Sequence, residues 1–317
     1  MSHLKTALVL DWPSVDAADG SFLSAWESSV TKELMDAAGF KPDATFVCHP
    51  WYVRKWTDLF TEGKPGGPLI DQAIRTRTQL LKDLEEYDIA LTMGPHALYT
   101  LTGEVKLETY RGTHIDSPVV PGLQVVPTYS PSIFCRLAWN ERPVVVSAMR
   151  KATSRFIDTP RSIHIPQHPV NLYLFTKEHI RDRIAFDVET CKGGRITEFS
   201  LSPRSDICLY IQLERPDFSS VWSYDDELSI MLWLHQLSIN PNMEWTFHNA
   251  TYDLTYLDAA GIRPRGHISD TMLRHHAWQP EWEKSLGFLS ALHLPTRAWK
   301  HLRTKSKKDY NKAGALD

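Results

Sequence analysis

Cysteine is scarce in this chain of 317 residues: Cys48, Cys135, Cys191 and Cys208 form no CxxC and have no histidine partner at ligand spacing. That excludes a zinc knuckle and a disulfide framework, and the four read as buried thiols. Net charge is equally slight, −3 at pH 7, so no global positive field draws the chain to nucleic acid or to an anionic membrane. Any nucleic-acid contact must be local. Nothing approaches the run of about 18 apolar residues that a membrane span needs, and MSHLKTALVLDWPS is too soon interrupted for a signal peptide. The chain therefore reads as soluble and cytoplasmic, with no membrane partner. There is no internal repeat and no low-complexity tract. What is present is an ordinary globular composition, 42% hydrophobic and 23% charged, at a length about twice that of a usual domain, so two domains are expected.

In the first half, short apolar runs alternate with amphipathic ones: TALVLD, SAWESSVTKELMDAAGF, TFVC, PLIDQAIRTRTQLLKDLEEY, DIALTMG and PHALYTLTG. This rhythm predicts a parallel sheet covered by helices, with Gly39 and Gly103 closing two of them. A strand is expected at Leu123 to Val126 and an amphipathic run from Pro143 to Phe156. Residues Ile157 to Val170 carry three prolines, two histidines and no sustained period, and read as a linker, placing the boundary at 160/161.

The second half opens with RIAFDVE, GRITEFSLS and DICLYIQL, three strand-like runs at hairpin spacing. Ser223 with Asp226 predicts a capping box before DELSIMLWLHQLSI; the strand EWTFH then leads into the helix ATYDLTYLDAAG. Three strands, helix, strand, helix is the order of a ribonuclease-H-like fold. The fold class is thus α/β, a three-layer parallel-sheet domain over 1–160 and a mixed-sheet domain over 161–317.

Asp187 and Glu189 stand two apart at the end of the run Ile184 to Val188, so on a strand both point to one face. A DxE there is open to two readings, solvated acids where a strand leaves the core or ligands of a site. Asn249 and Asp253 are four apart, one turn of the same helix face, while Tyr252, Leu254 and Leu257 can anchor that helix to the core. Asp270 opens SDTMLRHHAWQPEWEKSLGFLSALHL. Asp317 ends the chain, beyond a basic stretch with seven Lys or Arg residues between Arg297 and Lys312.

From 180 to 317 the chain resembles the 3′–5′ exonucleases with four metal-binding acids, and within them the proofreading domains of phage-type family A DNA polymerases. The matching residues are FDVET at Phe186 to Thr190, FHNATYDLTYL at Phe247 to Leu257, and DTMLRHHAWQPEWEKSLGFLSAL from Asp270 to Leu292. The resemblance implies two ions, Mg²⁺ or Mn²⁺, which as hard cations take oxygen ligands. Asp187 would bridge them, Glu189 and Asp317 would hold the nucleophile-side ion, and Asp253 the other; Asn249 would reach substrate. The tyrosine that the family places four residues before the last Asp is here Ala313, and Tyr310 stands seven before, a departure that leaves the orienting role of Tyr310 open. The implied substrate is single-stranded DNA or a frayed 3′ end, with RNA turnover as an alternative; the implied partners are a polymerase domain or replication proteins. The chain would be the N-terminal part of a polymerase, at work in a phage-infected cell. Lys300, Arg303, Lys305, Lys307 and Lys308 are expected on the DNA backbone, with Trp299 stacking a base. His275 and His276 read as packing or phosphate neighbours.

Residues 5 to 155 resemble, more weakly, the uracil-DNA glycosylase superfamily through LDWPSVDAADGSF, TMGPHALYTLTG, YRGTH and VVPTYSPSIFCR, in the family's order. Asp11 would take the acid position, Phe22 the stacking position and Ser130 the place of the family's His. Leu10 and Ser14 replace glycines, and the iron–sulfur cysteines of some relatives have no counterparts. Losing a donor of that kind costs about 10²–10³ in rate at a comparable oxyanion site. Two other readings are open: loops that merely end strands, and a module that binds DNA without cutting it.

Overall fold

The structure, a computed structural model, describes residues 4–11, 13–14, 21–48, 60–61, 64–65, 70–136, 139–191 and 194–299. They form two compact units, one of 4–157 together with 287–299, the other of 158–286. Among the described residues no helix is long and apolar enough to cross a membrane.

The first unit runs β1 (Thr6–Leu10), α1 (Ala25–Ala38), β2 (Ala44–Val47), the ribbon β3 (Phe60–Thr61) and β4 (Lys64–Pro65), α2 (Ile70–Asp83), β5 (Ile89–Met93) and α3 (Pro95–Thr102). It continues through α4 (Leu107–Tyr110), β6 (Ile115–Asp116), β7 (Gln124–Thr128), α5 (Pro131–Arg136) and α6 (Arg142–Lys151). The sheet order is β2-β1-β5-β7-β6, parallel except for the edge strand β6. Both faces are covered, as a parallel sheet requires. Leu8 and Leu10 pack with Leu34 of α1 and Met149 of α6, whereas Ala7 and Val9 pack with Leu80 of α2 and Leu101 of α3. This is the expected three-layer arrangement. Gly39 (φ 69°) and Gly103 (φ 77°) end α1 and α3 in the left-handed conformation that suits glycine.

The second unit runs β8 (Ser162–His164), α7 (Val170–His179), β9 (Arg183–Thr190), β10 (Ile196–Arg204), β11 (Ile207–Gln212) and α8 (Tyr224–Ser238). Then come β12 (Glu244–Phe247), α9 (Ala250–Ala259), β13 (His267–Asp270) and α10 (Thr271–Trp278). The sheet order is β13-β12-β9-β10-β11-β8. β9, β10 and β11 form an antiparallel meander, and β12 joins β9 in parallel on its other side. This mixed parallel and antiparallel order is consistent with the expected ribonuclease-H-like fold. Phe186 anchors β9 in the core, its ring 5.3 Å from Trp245 and 5.7 Å from Phe199.

Two expectations need correction. Part of the span read as a linker is the strand β8, which pairs in parallel with β11 from Ser162↔Ile207 to His164↔Leu209. At α8 the Asp226 N–H does donate to Ser223 Oγ, at 3.2 Å, but the carboxylate returns to the hydroxyl, not to the backbone. The reciprocal box lies at α1, where Ser24 and a buried Glu27 cap one another. The last helix, α11 (Leu286–His293), begins at the end of the second unit and continues in the first.

Candidate active site

β9 alternates as its sequence predicts: Ile184, Phe186 and Val188 are buried, while Asp187 and Glu189 share the other face, Asp187 exposed and Glu189 half-buried. The two sides of β9 end at different places. Pairing with β12 stops at Ala185↔Thr246, but pairing with β10 continues to Thr190↔Ile196. Beyond Ala185 the strand therefore carries a backbone edge that the sheet does not use, and a side chain takes it: Asp253 Oδ1 accepts the Val188 N–H at 2.9 Å. An unmet N–H in so enclosed a place would be costly.

Asp253 sits in the first turn of α9 and is only 2% exposed. Burial pushes its pKa up to about 6; the Val188 N–H opposes this, and the charges of Asp187 and Asp270 add to it. Like charges raise one another's pKa in this way when no cation neutralises them. Thr190 and Tyr252 complete the join, their hydroxyls 2.7 Å apart. The sequence reading assigned Tyr252 to the core; it is 41% exposed and ties α9 to the end of β9 instead.

Asp270 holds the start of α9. Its carboxylate accepts the N–H groups of Ala250 (2.8 Å), Asn249 (3.2 Å), Met272 (2.8 Å) and Leu273 (3.2 Å), bridging the N-termini of α9 and α10. Burial works to raise its pKa, but the donors of Ala250, Leu273, Asn249 and Met272 outweigh it and hold the carboxyl below the usual range. Asn249 is not on the helix face expected of it. It is the residue before α9, exposed and left-handed at φ 71°, and its own side chain makes no capping bond.

Sequence reasoning missed the residues that shape the Glu189 side of the site. Glu189 lies directly opposite Glu198, and the register shifts between Ile196 and Glu198, a bulge of the kind often found beside active sites. The Tyr210 hydroxyl donates to Glu198. The available signal was Glu198, the one acid of GRITEFSLS, alternating with the apolar Phe199 and Leu201.

Asp187, Glu189 and Asp253 are anionic oxygen donors, the ligand type that suits a hard divalent cation. Among the described residues no three His, Cys, Asp or Glu side chains converge closely enough to hold a metal by themselves. Asp317, Tyr310, Lys300, Arg303, Lys305, Lys307 and Lys308 lie outside the described residues. Trp299 is half-buried. Arg297, at the head of the basic stretch, is committed within the first unit, paired with Asp116 at 2.8 Å and 5.7 Å from the Phe156 ring.

In the first unit Asp11 is 4% exposed and its Oδ1 accepts the Ala97 N–H of α3 at 2.7 Å. Gly94 makes room for it: a Cβ there would lie 2.0 Å from Asp11 Oδ2. Burial pushes the Asp11 carboxyl up to about 8 against the pull of the Ala97 and His96 N–H groups. Asp11 and Ser130 line one pocket of about 170 Å³ with Ser14, Glu27 and Arg136. Phe22 lines the neighbouring pocket instead, with Leu23 and Met35, so the expected stacking residue does not join the other two.

No protein-family model matches the sequence, and no curated protein does. Among solved structures, Brucella melitensis NrnC is similar with a TM-score of 0.31 at 16% identity, covering 44% of this chain and 65% of that one. The POL domain of Pol1 from M. smegmatis, in complex with DNA primer-template and dNTP, gives 0.35 at 21% identity, covering 47% and 26%. The Aedes aegypti Nibbler EXO domain gives 0.35 at 15% identity, covering 47% and 77%. The chain thus spans less than two thirds of the length of NrnC.

Proposed function

We propose that the second unit is a metal-dependent 3′–5′ exonuclease that removes nucleotides from single-stranded DNA ends. The observation that carries the reading is the coupling of Asp253 to β9. A buried carboxylate is spent on the Val188 N–H, where it feels the charge of Asp187, two residues before Glu189 on the same strand face. A purely structural acceptor for that N–H would not need a second acid beside it. The FDVET, FHNATYDLTYL and DTM segments supply the family resemblance.

Asp187, Glu189, Asp253 and, by that resemblance, Asp317 would hold two Mg²⁺ or Mn²⁺ ions. Such ions, when bound, supply a hydroxide nucleophile and stabilise the leaving 3′ oxygen. The chain's own part is to fix the carboxylates: β9 sets Asp187 and Glu189 on one face, and Asp270 sets the start of the helix that carries Asp253. The polymerase kinship implied by the motifs belongs to the same reading, with a polymerase domain or replication proteins as partners. Degradation of a 3′-labelled oligonucleotide with Mg²⁺ or Mn²⁺ tests it. A ladder that disappears in Asp187→Ala supports the reading, and an equal rate in that variant overturns it. A gel shift without a ladder in the parent would point to a DNA-binding module.

A second reading, uracil excision by the first unit, is favoured by the meeting of Asp11 and Ser130 in one pocket. Against it, a carboxyl that stays protonated up to about pH 8, with one oxygen engaged by Ala97, is a poor base for activating water. Abasic sites formed in uracil-containing DNA without added metal would establish it.

A further inference from the structure

Trp278 is the last residue of α10 and is 61% exposed, although tryptophan is on average among the more buried residues. Two buried rings hold it. Trp278 meets His275 at 6.0 Å and 68°, and Trp282 at 6.0 Å and 82°, edge to face in both cases; His275 and Trp282 are themselves 6.0 Å apart, so the three rings form a triangle. The supporting pair are each 6% exposed. Edge-to-face contacts favour one relative orientation of the rings. The turn that returns Trp282 to α10 is tied as well: the Gln279 N–H donates to the His275 carbonyl at 2.7 Å, and Lys284 Nζ donates to the carbonyls of Pro280 at 2.5 Å and Trp282 at 2.9 Å. Trp278 is thus fixed in place while most of it faces solvent.

A ring held in advance loses little freedom on binding, and any nucleobase offers it a flat face to stack on. The charge along α10 agrees with such a ligand. Its exposed residues are Leu273, Arg274, His276, Ala277 and Trp278, which puts a guanidinium one turn before the ring and no carboxylate within the helix. One N–H of Arg274 donates to Ser269 Oγ at 3.3 Å, out of the five that a guanidinium carries. Exposed carboxylates resume only past the ring, at Glu281 and Glu283, so phosphates are attracted along α10 and repelled beyond it. A protein partner would need more apolar surface than this, since a specific interface covers about 800 Å² on each side. The position also fits the site. α10 starts at Asp270, which fixes the start of α9 and with it Asp253. At about 1.5 Å of rise per residue, Trp278 stands about 12 Å along from Asp270, a distance that a stacked strand covers in roughly three to four nucleotides.

We infer that Trp278, flanked by Arg274, is a stacking site for a base of the single strand, roughly three to four nucleotides from the 3′ end presented to the carboxylates. The inference takes its substrate from the exonuclease reading and adds a second contact to it, away from the metal-ligating residues. A strand too short to reach the ring gains nothing from it, so the site selects for length.

The test uses the full chain with Trp278→Ala, Trp278→Phe and Arg274→Gln, against 5′-labelled thymidine oligonucleotides, a dimer and an octamer. Fluorescence anisotropy in EDTA reads binding without metal or cutting, and degradation with Mn²⁺ reads turnover. We expect Trp278→Ala to weaken octamer binding about tenfold and to raise KM for the octamer by a similar factor at unchanged kcat, with kcat/KM for the dimer unaltered. Trp278→Phe should recover most of the loss, because it keeps an aromatic face. Arg274→Gln should reduce the salt dependence of octamer binding by about one phosphate contact. An octamer with an abasic residue at the third or fourth position from its 3′ end should bind the parent as weakly as the intact octamer binds Trp278→Ala. If that variant does not fold, the abasic octamer carries the test on the parent alone. Equal octamer binding by parent and Trp278→Ala would overturn the inference and leave the ring to a protein partner, as would equal binding of abasic and intact octamers by the parent. A parent that binds the octamer through Trp278 but never cuts it would instead overturn the exonuclease reading and leave the stacking site in place.

Discussion

Asp270 Oδ2 accepts the backbone N–H of Ala250 at 2.8 Å, while its other oxygen caps α10 through Met272 and Leu273. One carboxylate thus fixes the starts of two helices, and the first of them presents Asp253 to β9 within its opening turn. Asp270 acts on the site through this placement, with its own oxygens already occupied by N–H groups.

Replacing Asp270 by Ala should therefore cost about 2–4 kcal/mol of stability, since it removes the acceptor for donors at two helix ends. It should also lower cleavage by displacing Asp253. Asp270→Asn, which keeps one acceptor oxygen, should lose less of both. Urea unfolding and oligonucleotide degradation measure the two effects.

Asp253→Asn separates chemistry from folding. The amide oxygen can still accept the Val188 N–H, so the fold should survive while metal-dependent cleavage falls at least a hundredfold. The native pKa of about 6 lies above the ordinary 3.8, so the stability this group contributes is full below pH 3.8 and is lost as pH rises through 6. The metal-free variant should consequently equal or exceed the parent in stability at pH 7.5, by about 1–3 kcal/mol at most. A variant less stable than the parent at that pH would contradict the assignment.

Asp11 gives the same sign over a wider window. Its carboxyl, at about 8 in the folded chain against 3.8 as a free group, favours the fold at low pH and loses that contribution as pH rises through 8. Between pH 5 and 9 the melting temperature of the first unit should fall more steeply in the parent than in Asp11→Asn. Parallel curves would show that Asp11 does not titrate there.

Added Mn²⁺ should raise the melting temperature of the second unit, because a ligand that binds only the folded form stabilises it, by about 2.7 kcal/mol at a hundredfold excess over Kd. Asp187→Ala should abolish the rise. Chelation should restore the starting value in the parent.

The sequence was most informative where a side-chain period coincided with a backbone one. Ile184, Phe186 and Val188 alternate with Asp187 and Glu189, and that alternation alone places both acids on one strand face. Gly39 and Gly103 are legible for a similar reason, since a helix end that needs a left-handed residue favours glycine. β8 was hidden because all three of its residues are exposed and prolines surround it, so nothing alternates. Asn249 was misread because a spacing of four looks helical whether or not the first residue is inside the helix; the cap came from Asp270, twenty-one residues on. The division of α11 was not legible at all. Its apolar residues continue the DTM segment without a break in pattern, and a burial pattern does not say which core does the burying.

The membership of 287–299 in the first unit has a consequence for synthesis. A chain made from its N-terminus exposes the first unit's sheet and six helices early, yet α11 and the segment after it reach that unit only when everything up to residue 286 has been translated. The described residues of the second unit are therefore translated before the last ones of the first, and the earlier part of the chain must wait with the α6 surface of Ser147 and Lys151, whose side chains donate to the carbonyls of Leu292 and Ala291, uncovered. Release of a chain stopped near residue 286 would leave that surface bare, an opening for aggregation or for a chaperone.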